Sequence, residues 1–110
     1  MKLATIRNAD GSTRAVRVEG NEFVDLGFSD VGALLANGNW AELASVGGPR
    51  SSADNADFAT LIPAPAKILC QGLNFRTHLA EMGRELPQYP TLFSKYPEAL
   101  IGANDAIVLP

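Results

Sequence analysis

The chain has 110 residues, a hydrophobic fraction of 46%, a charged fraction of 19% and a formal net charge of −3. That length suits one modest domain, or one small domain and part of another, and the apolar content supports a packed core rather than wholesale disorder. The mild negative balance lacks the basic stripe of a nucleic-acid binder or a membrane-surface helix, and no apolar run approaches the ~20 residues that span a bilayer.

The N-terminal MKLATIRNADGS has no apolar stretch after its lysine and does not read as a signal peptide. Cys70 is the one cysteine, so no internal disulfide is expected, and a cytoplasmic protein is the expectation. Leu3 to Arg7 is a short strand candidate, and Asn8-Ala9-Asp10-Gly11 offers a turn in which Gly11 can take positive φ. Thr13 to Glu19 alternates, with Val16 and Val18 on one face and Arg14, Arg17 and Glu19 leaving a mostly polar remainder. Gly20-Asn21 supplies a second turn before Glu22 to Leu26, and the three runs predict a β-meander.

Two short helices should follow. Ser29 can cap the first, Val31, Leu34 and Leu35 give it an apolar face, and Asn37-Gly38 ends it. Asn39 can cap the second, in which Trp40, Leu43, Ala44 and Val46 recur at helical spacing up to Gly47-Gly48. That periodicity reads Trp40 as core rather than as a ligand platform. Residues 47 to 57, GGPRSSADNAD, are small and polar without periodicity and read as a break. Phe58 to Ile62 reads as a short ordered piece, and Pro63-Ala64-Pro65 stiffens the chain beyond it. The boundary falls near residue 64, giving a small α+β domain over 1–64 and a second region over 65–110.

In that second region KILCQG, Lys67 to Gly72, suits a strand buried on both faces, with Cys70 as a core thiol. Asn74 or Thr77 could start a helix through Met82, ended by Gly83, and so short a helix would need tertiary packing. Leu86 to Pro90 reads as a loop, while Thr91–Lys95, Leu100–Gly102 and Ala106–Leu109 read as extended pieces. No internal repeat is visible.

The chain's only histidine, His78, lies three residues before Glu81. On a helix these positions share a face, and a carboxylate accepting one imidazole N–H fixes the tautomer and raises the basicity of the other nitrogen. Such a pair suits a general base acting on water or on a C–H acid. Taken alone the signal is weak, because a solvated i,i+3 pair adds only about 0.2–0.5 kcal/mol to a helix and needs no function. Zinc usually wants three protein ligands or more, and there is no second histidine. The position at the carboxyl end of a strand, just after a glycine, favours the catalytic reading. Lys95, between apolar residues in TLFSKYP, could meet a substrate carboxylate, as could Arg76, although both also suit a plain surface role.

Residues 66 to 110 resemble the start of the catalytic domain in the fumarylacetoacetate hydrolase family. The family pattern G-L-N-[YF]-x-x-H-x-x-E is matched by Gly72-Leu73-Asn74-Phe75, His78 and Glu81. Pro90, Phe93 and Lys95 match its P-x-x-F-x-K, and Gly102, Asp105, Ile107, Leu109 and Pro110 match its G-x-x-D-x-I-x-L-P. Residues 1 to 64 look, more loosely, like the small N-terminal domain that many members carry. Phe75 stands where tyrosine is common, which removes a hydroxyl and keeps the packing.

The resemblance implies an α+β fold in which the meander and two helices precede the first strands and helix of a mixed, β-rich catalytic domain. It implies an enzyme acting on small-molecule 2-oxo or β-diketo acids by C–C bond hydrolysis, isomerisation or decarboxylation, commonly in breakdown of aromatic compounds or sugar acids. His78 and Glu81 match the dyad that activates water or moves a proton, and Lys95 matches a motif lysine. A Mg²⁺, Mn²⁺ or Ca²⁺ ion is implied in the complete enzyme as a Lewis acid on a metal-bound enolate. The family's metal carboxylates come mainly from a Glu-x-Glu beyond Pro110, and a lone Asp105 is a poor divalent-ion site. The expectation is therefore an N-terminal portion of a longer enzyme, itself inactive and without bound metal. The alternative is a non-catalytic dimerisation or binding domain lacking the metal site. A strand such as KILCQG needs neighbours, so a homodimer or higher homo-oligomer is expected.

Overall fold

Alternating side chains and two glycine turns set the first sheet. In the computed structural model, which describes residues 1–109, the fold is α+β. Strands β1 (Leu3–Arg7), β2 (Thr13–Glu19), β3 (Glu22–Asp25) and β4 (Arg50–Ser52) form an antiparallel sheet in that order. Gly11 (φ 83°) and Gly20 (φ 60°) adopt the left-handed backbone that the two tight turns require.

The alternation of β2 places Val16 opposite Ala4 and Val18 opposite Phe23. Ala4, Ile6, Val16 and Phe23 make one core, with Val18, Ala53, Ala56 and Phe58 packed on it. The Phe58 ring meets Phe23 edge to face at 5.9 Å between centroids. The other face is apolar too, which corrects the mostly polar remainder read for β2. Thr5, Ala15 and Val24 are buried there, and α1 (Val31–Leu35), whose Val31 and Leu34 are buried, packs against β1 and β2. The buried Thr5 hydroxyl donates to the Leu61 carbonyl at 2.6 Å and accepts the Val31 N–H at 3.0 Å, which fixes the start of α1 on the sheet.

Three local expectations are corrected in this unit. Asp30, not Ser29, caps α1, accepting the Ala33 N–H at 2.9 Å. Helix α2 (Trp40–Leu43) is barely one turn, so Trp40 at its start and Val46 past its end cannot share an inward face. Ala44 is buried, but Trp40 is 39% exposed and is not core. Arg17 secures this short helix from the sheet by donating to the carbonyls of Ala44 and Val46, where C-terminal carbonyls lack partners. Finally, the break at 47–57 contains β4. Its polar residues are recruited by pairing, Val24 with Arg50 and Phe23 with Ser51, and Arg50 bridges Glu19 at 2.7 Å and Glu22 at 2.8 Å.

The chain divides into two compact units, Met1–Pro65 with the segment from Leu100 onward, and Ala66–Ala99. In the first unit, Ala103 N–H donates to the Phe58 carbonyl at 3.0 Å. A side chain at Gly102 would collide with that same carbonyl oxygen. Leu100–Gly102 and Ala106–Leu109 form no strand, contrary to the extended reading, because turn geometry rather than ladder pairing holds this segment. Pro110 of the family pattern lies outside the described residues.

The second unit is a hairpin of β5 (Ile68–Gly72) and β6 (Thr91–Lys95), antiparallel with Ile68 opposite Lys95 and Gly72 opposite Thr91. Helix α3 (Arg76–Glu81) lies between the strands in sequence. Here β5 is not buried on both faces: Leu69 is 72% exposed, and Cys70 is only half-buried, facing Phe93 across the pair. An apolar run becomes a doubly buried strand only where layers cover it, and this unit's one buried side chain among the described residues is Leu79.

Candidate functional site

The candidate residues follow the end of β5. After Gly72 the chain passes through Leu73 in the left-handed region (φ 53°) and enters α3 from an extended Phe75, whose side chain makes no capping bond. Neither Asn74 nor Thr77 acts as the cap read from the sequence. The helix ends as expected at Gly83 (φ 62°): Arg84 N–H donates to the Leu79 carbonyl at 2.9 Å and Gly83 N–H to that of Ala80 at 3.1 Å. These two bonds are a Schellman closure.

With Leu79 turned inward, α3 presents His78 and Glu81 outward on one face. His78 Nδ1 stands 3.8 Å from Glu81 Oε2, with the two side chains 57% and 77% exposed. That is ion-pair distance rather than a hydrogen bond, so the pair is open and must close by several tenths of an ångström to fix the imidazole tautomer. Arg76 lies two residues before His78, and Lys95 closes β6. Both are exposed, and among the described residues neither makes an ion pair or side-chain hydrogen bond. The structure thus brings His78 and Glu81 together and leaves Arg76 and Lys95 as unengaged cations in the same unit.

Among the described residues, no three His, Cys, Asp or Glu side chains stand together as a metal site. Asp105 is occupied otherwise. Its carboxylate takes Arg7 at 3.1 Å through both oxygens and the Gly102 N–H at 2.7 Å, and Arg7 also holds Asp57 at 2.8 Å. The Arg7 guanidinium and the Gly102 amide hold the Asp105 carboxyl below the ordinary carboxylate range. The donor set described therefore does not fit a divalent cation. The G-x-x-D part of the family pattern serves the first unit's fold, a role that local sequence could not signal because Arg7 is 98 residues away. No helix among the described residues is long and apolar enough to cross a membrane.

No family model matches the chain. It is 36% identical over 62 residues to the rat (Rattus norvegicus) mitochondrial oxaloacetate tautomerase Fahd2a, covering 56% of this chain and 19% of that protein. It is 44% identical over 46 residues to a fumarylacetoacetate hydrolase domain-containing protein 2 homolog of Dictyostelium discoideum, covering 42% of this chain and 15% of that one. Over these stretches the chain is similar to proteins of the fumarylacetoacetate hydrolase family. It spans about a fifth or less of the length of these two curated relatives, at 19% and 15%. A solved Mycobacterium smegmatis structure, provisionally named an HpcE protein, aligns with 99% of this chain and 41% of its own, at TM-score 0.69 and 24% identity. At that identity the likeness speaks for the fold, and it extends over both units of this chain.

Proposed function

We propose that this chain supplies the proton-transfer part of a fumarylacetoacetate hydrolase family enzyme acting on 2-oxo or β-diketo acids, by C–C bond hydrolysis, isomerisation or decarboxylation. The observation that carries the reading is His78 Nδ1 held 3.8 Å from Glu81 Oε2 on one face of α3, at the carboxyl end of β5. When the pair closes, Glu81 accepts a hydrogen bond from Nδ1–H, which keeps Nε2 unprotonated and outward. Nε2 then takes a proton from water, or from the carbon made acidic by adjacent carbonyls, and returns it to the product. Lys95 and Arg76, exposed cations of the same unit, suit the substrate carboxylate.

A Mg²⁺, Mn²⁺ or Ca²⁺ ion belongs to this reading through the resemblance, and when bound it would act as a Lewis acid on the substrate oxygens. The described residues do not compose its site, so the proton chemistry above stands on His78 and Glu81 alone. Assembly into a homodimer or higher homo-oligomer is part of the same reading. The apolar side chains of the hairpin, Leu69 at 72% and Leu92 at 65% exposed, support it, and sedimentation of the chain as a monodisperse monomer would count against it.

In a complete enzyme containing this chain, His78→Ala should lower kcat by ~10²–10⁴-fold, the usual loss for a positioned general base. Unchanged kinetics would return His78 to an ordinary surface pair. The chain by itself should show no metal-dependent turnover of an acylpyruvate, and turnover with Mg²⁺ would overturn the donor-set argument. The second reading, a non-catalytic dimerisation or binding domain, is favoured by the openness of the dyad, and it predicts that His78→Ala changes neither rate nor assembly.

A further inference from the structure

The chain turns from β5 towards α3 at a leucine, in a conformation that leucine disfavours. Leu73 has φ 53°, and the one other non-glycine residue with positive φ among the described residues is Asn55, at φ 55°. Asparagine tolerates the left-handed region because its short polar side chain can bond locally, but a bulky residue there is an outlier. Gly72, directly before it, has ordinary backbone and room for a side chain, since a Cβ would lie 3.6 Å from the Phe93 ring. The residue that could turn without cost thus stays in the strand opposite Thr91, and the leucine takes the turn. Strain of this kind persists only where surrounding structure over-determines it, and it gathers where geometry serves function.

The turn bears on the direction of α3. No side chain caps that helix at its entry, and its first turn carries no acidic residue. With six residues, a rise of about 9 Å, it is too short to persist without outside restraint, and Leu79 is its one buried side chain. One buried contact leaves a short rod free to swing, so the entry turn is the second restraint. Exchanging φ 53° for an ordinary right-handed value would rotate the chain after Leu73 by roughly 115° about a single bond. His78 and Glu81 would travel with it, because Leu79 N–H to the Phe75 carbonyl and Met82 N–H to that of His78, both 3.1 Å, bind α3 into one piece. Leu73 is half-buried and lines a cavity opposite Leu86 and Tyr89 of the loop before β6, which encloses the turn from its far side.

We propose that Leu73 is a positioning residue: its left-handed backbone, rather than its side-chain chemistry, sets the direction in which α3 leaves β5 and so where His78 presents Nε2. Leu73 itself touches no reacting atom. The catalytic consequence rests on the proton-transfer reading above, whereas the control of helix direction does not.

Two substitutions separate backbone from side chain. Leu73→Asn shortens the side chain but suits the turn, as Asn55 does elsewhere in this chain. Leu73→Ile keeps the volume and apolarity but is β-branched, which opposes positive φ. Residual dipolar couplings of the 110-residue chain measure the axis of α3 against β5 and β6. The axis should stay within about 10° of the parent in Leu73→Asn, and in Leu73→Ile it should turn by more than about 20° or the helix should melt. In a complete enzyme containing this chain, Leu73→Ile should lower kcat at least ~10-fold with KM changed less than ~2-fold, and Leu73→Asn should hold kcat within ~3-fold. An unmoved axis in Leu73→Ile overturns the proposal. So does a displaced axis in Leu73→Asn, since side-chain packing would then set the turn; if Leu73→Ile melts α3, this second variant decides. A kinetically silent His78→Ala beside an axis that follows the residue at 73 removes the dyad reading and keeps the positioning turn. A slowed His78→Ala beside an indifferent axis does the reverse.

Discussion

The four-stranded sheet and the β5–β6 hairpin start from similar strand signals and reach different states. In the first unit α1 covers one face and the 53–58 segment covers the other, so Val16, Phe23 and Val24 are all 2% exposed or less. In the second, a six-residue helix turns one side chain inward, and Leu69 and Leu92 stay 72% and 65% exposed. Among the described residues, every arginine–carboxylate pair lies in the first unit, whereas the second holds only the open His78–Glu81 contact. Apolar content therefore did not decide burial; the number of covering layers did. A two-stranded hairpin with little packed against it is marginal in water. Candidate binding groups thus stand on the less stable unit, which is where proteins often keep them.

The sharpest way to break this comparison is a matched pair of truncations. Phe23→Ala removes a ring that Phe58 packs edge-on within the first core, and it should cost about 3–5 kcal/mol in denaturant unfolding. Leu79→Ala should instead release α3 while the first unit keeps its melting profile, as read by hydrogen exchange of β1–β3 against β5–β6. Equal global losses from the two substitutions would mean that the units unfold as one and that the contrast is wrong.

Gly102→Ala sharpens the boundary. The added methyl meets the Phe58 carbonyl oxygen, which is backbone and cannot step aside. Overpacking of this sort typically costs about 1–3 kcal/mol. The loss should appear in the first unit's transition, because Ala103 and Asp105 of the same turn bond there. A loss confined to the hairpin's amides would instead attach the segment from Leu100 to the second unit.

What could be read from the sequence depended on how local the cause was. The meander was legible because Val16, Val18 and the glycines at 11 and 20 act within a few residues of each other. Strand β4 was not, since Arg50, Ser51 and Ser52 have no strand pattern of their own and are ordered by a distant partner strand, as in the pairing of Val24 with Arg50. Trp40 misled because periodicity was extended past a helix that closes after one turn. The i,i+3 meeting of His78 and Glu81 was legible from helix geometry alone. The left-handed Leu73 was not, because a leucine beside a glycine gives no sign that the leucine, rather than the glycine, takes the turn.

Acid titration tests the ionic part of the contrast. Asp105, paired with Arg7 and bonded to Gly102 N–H, has a folded carboxyl below its ordinary value near 3.8, and Glu19, held first by Arg50 and then by Arg17, is lowered likewise. A depressed carboxyl contributes stability that is complete above the unfolded value and is lost as pH falls through the folded one. The first unit should therefore weaken below about pH 4, and Asp105→Asn should flatten that acid limb. Near neutral pH the substitution should matter less, and less still at high salt, because the Arg7 and Asp105 side chains are each 32% exposed and screened. An acid limb that is unchanged in Asp105→Asn would show that the pair does not hold the turn.

The smallest effect on stability should come from the residue with the largest proposed role. His78 is 57% exposed, stands at ion-pair distance from Glu81 and, among the described residues, bonds to nothing else through its ring. His78→Ala should leave unfolding within about ±0.5 kcal/mol of the parent, as surface substitutions away from cores and caps usually do. A larger loss would mean that the imidazole supports α3 structurally, and a drop in kcat could then follow from a disordered helix instead of a missing base. Circular dichroism of α3 and the first unit's melting curve, taken beside the kinetics, separate the two. Only an intact helix with a slowed reaction assigns the proton to His78.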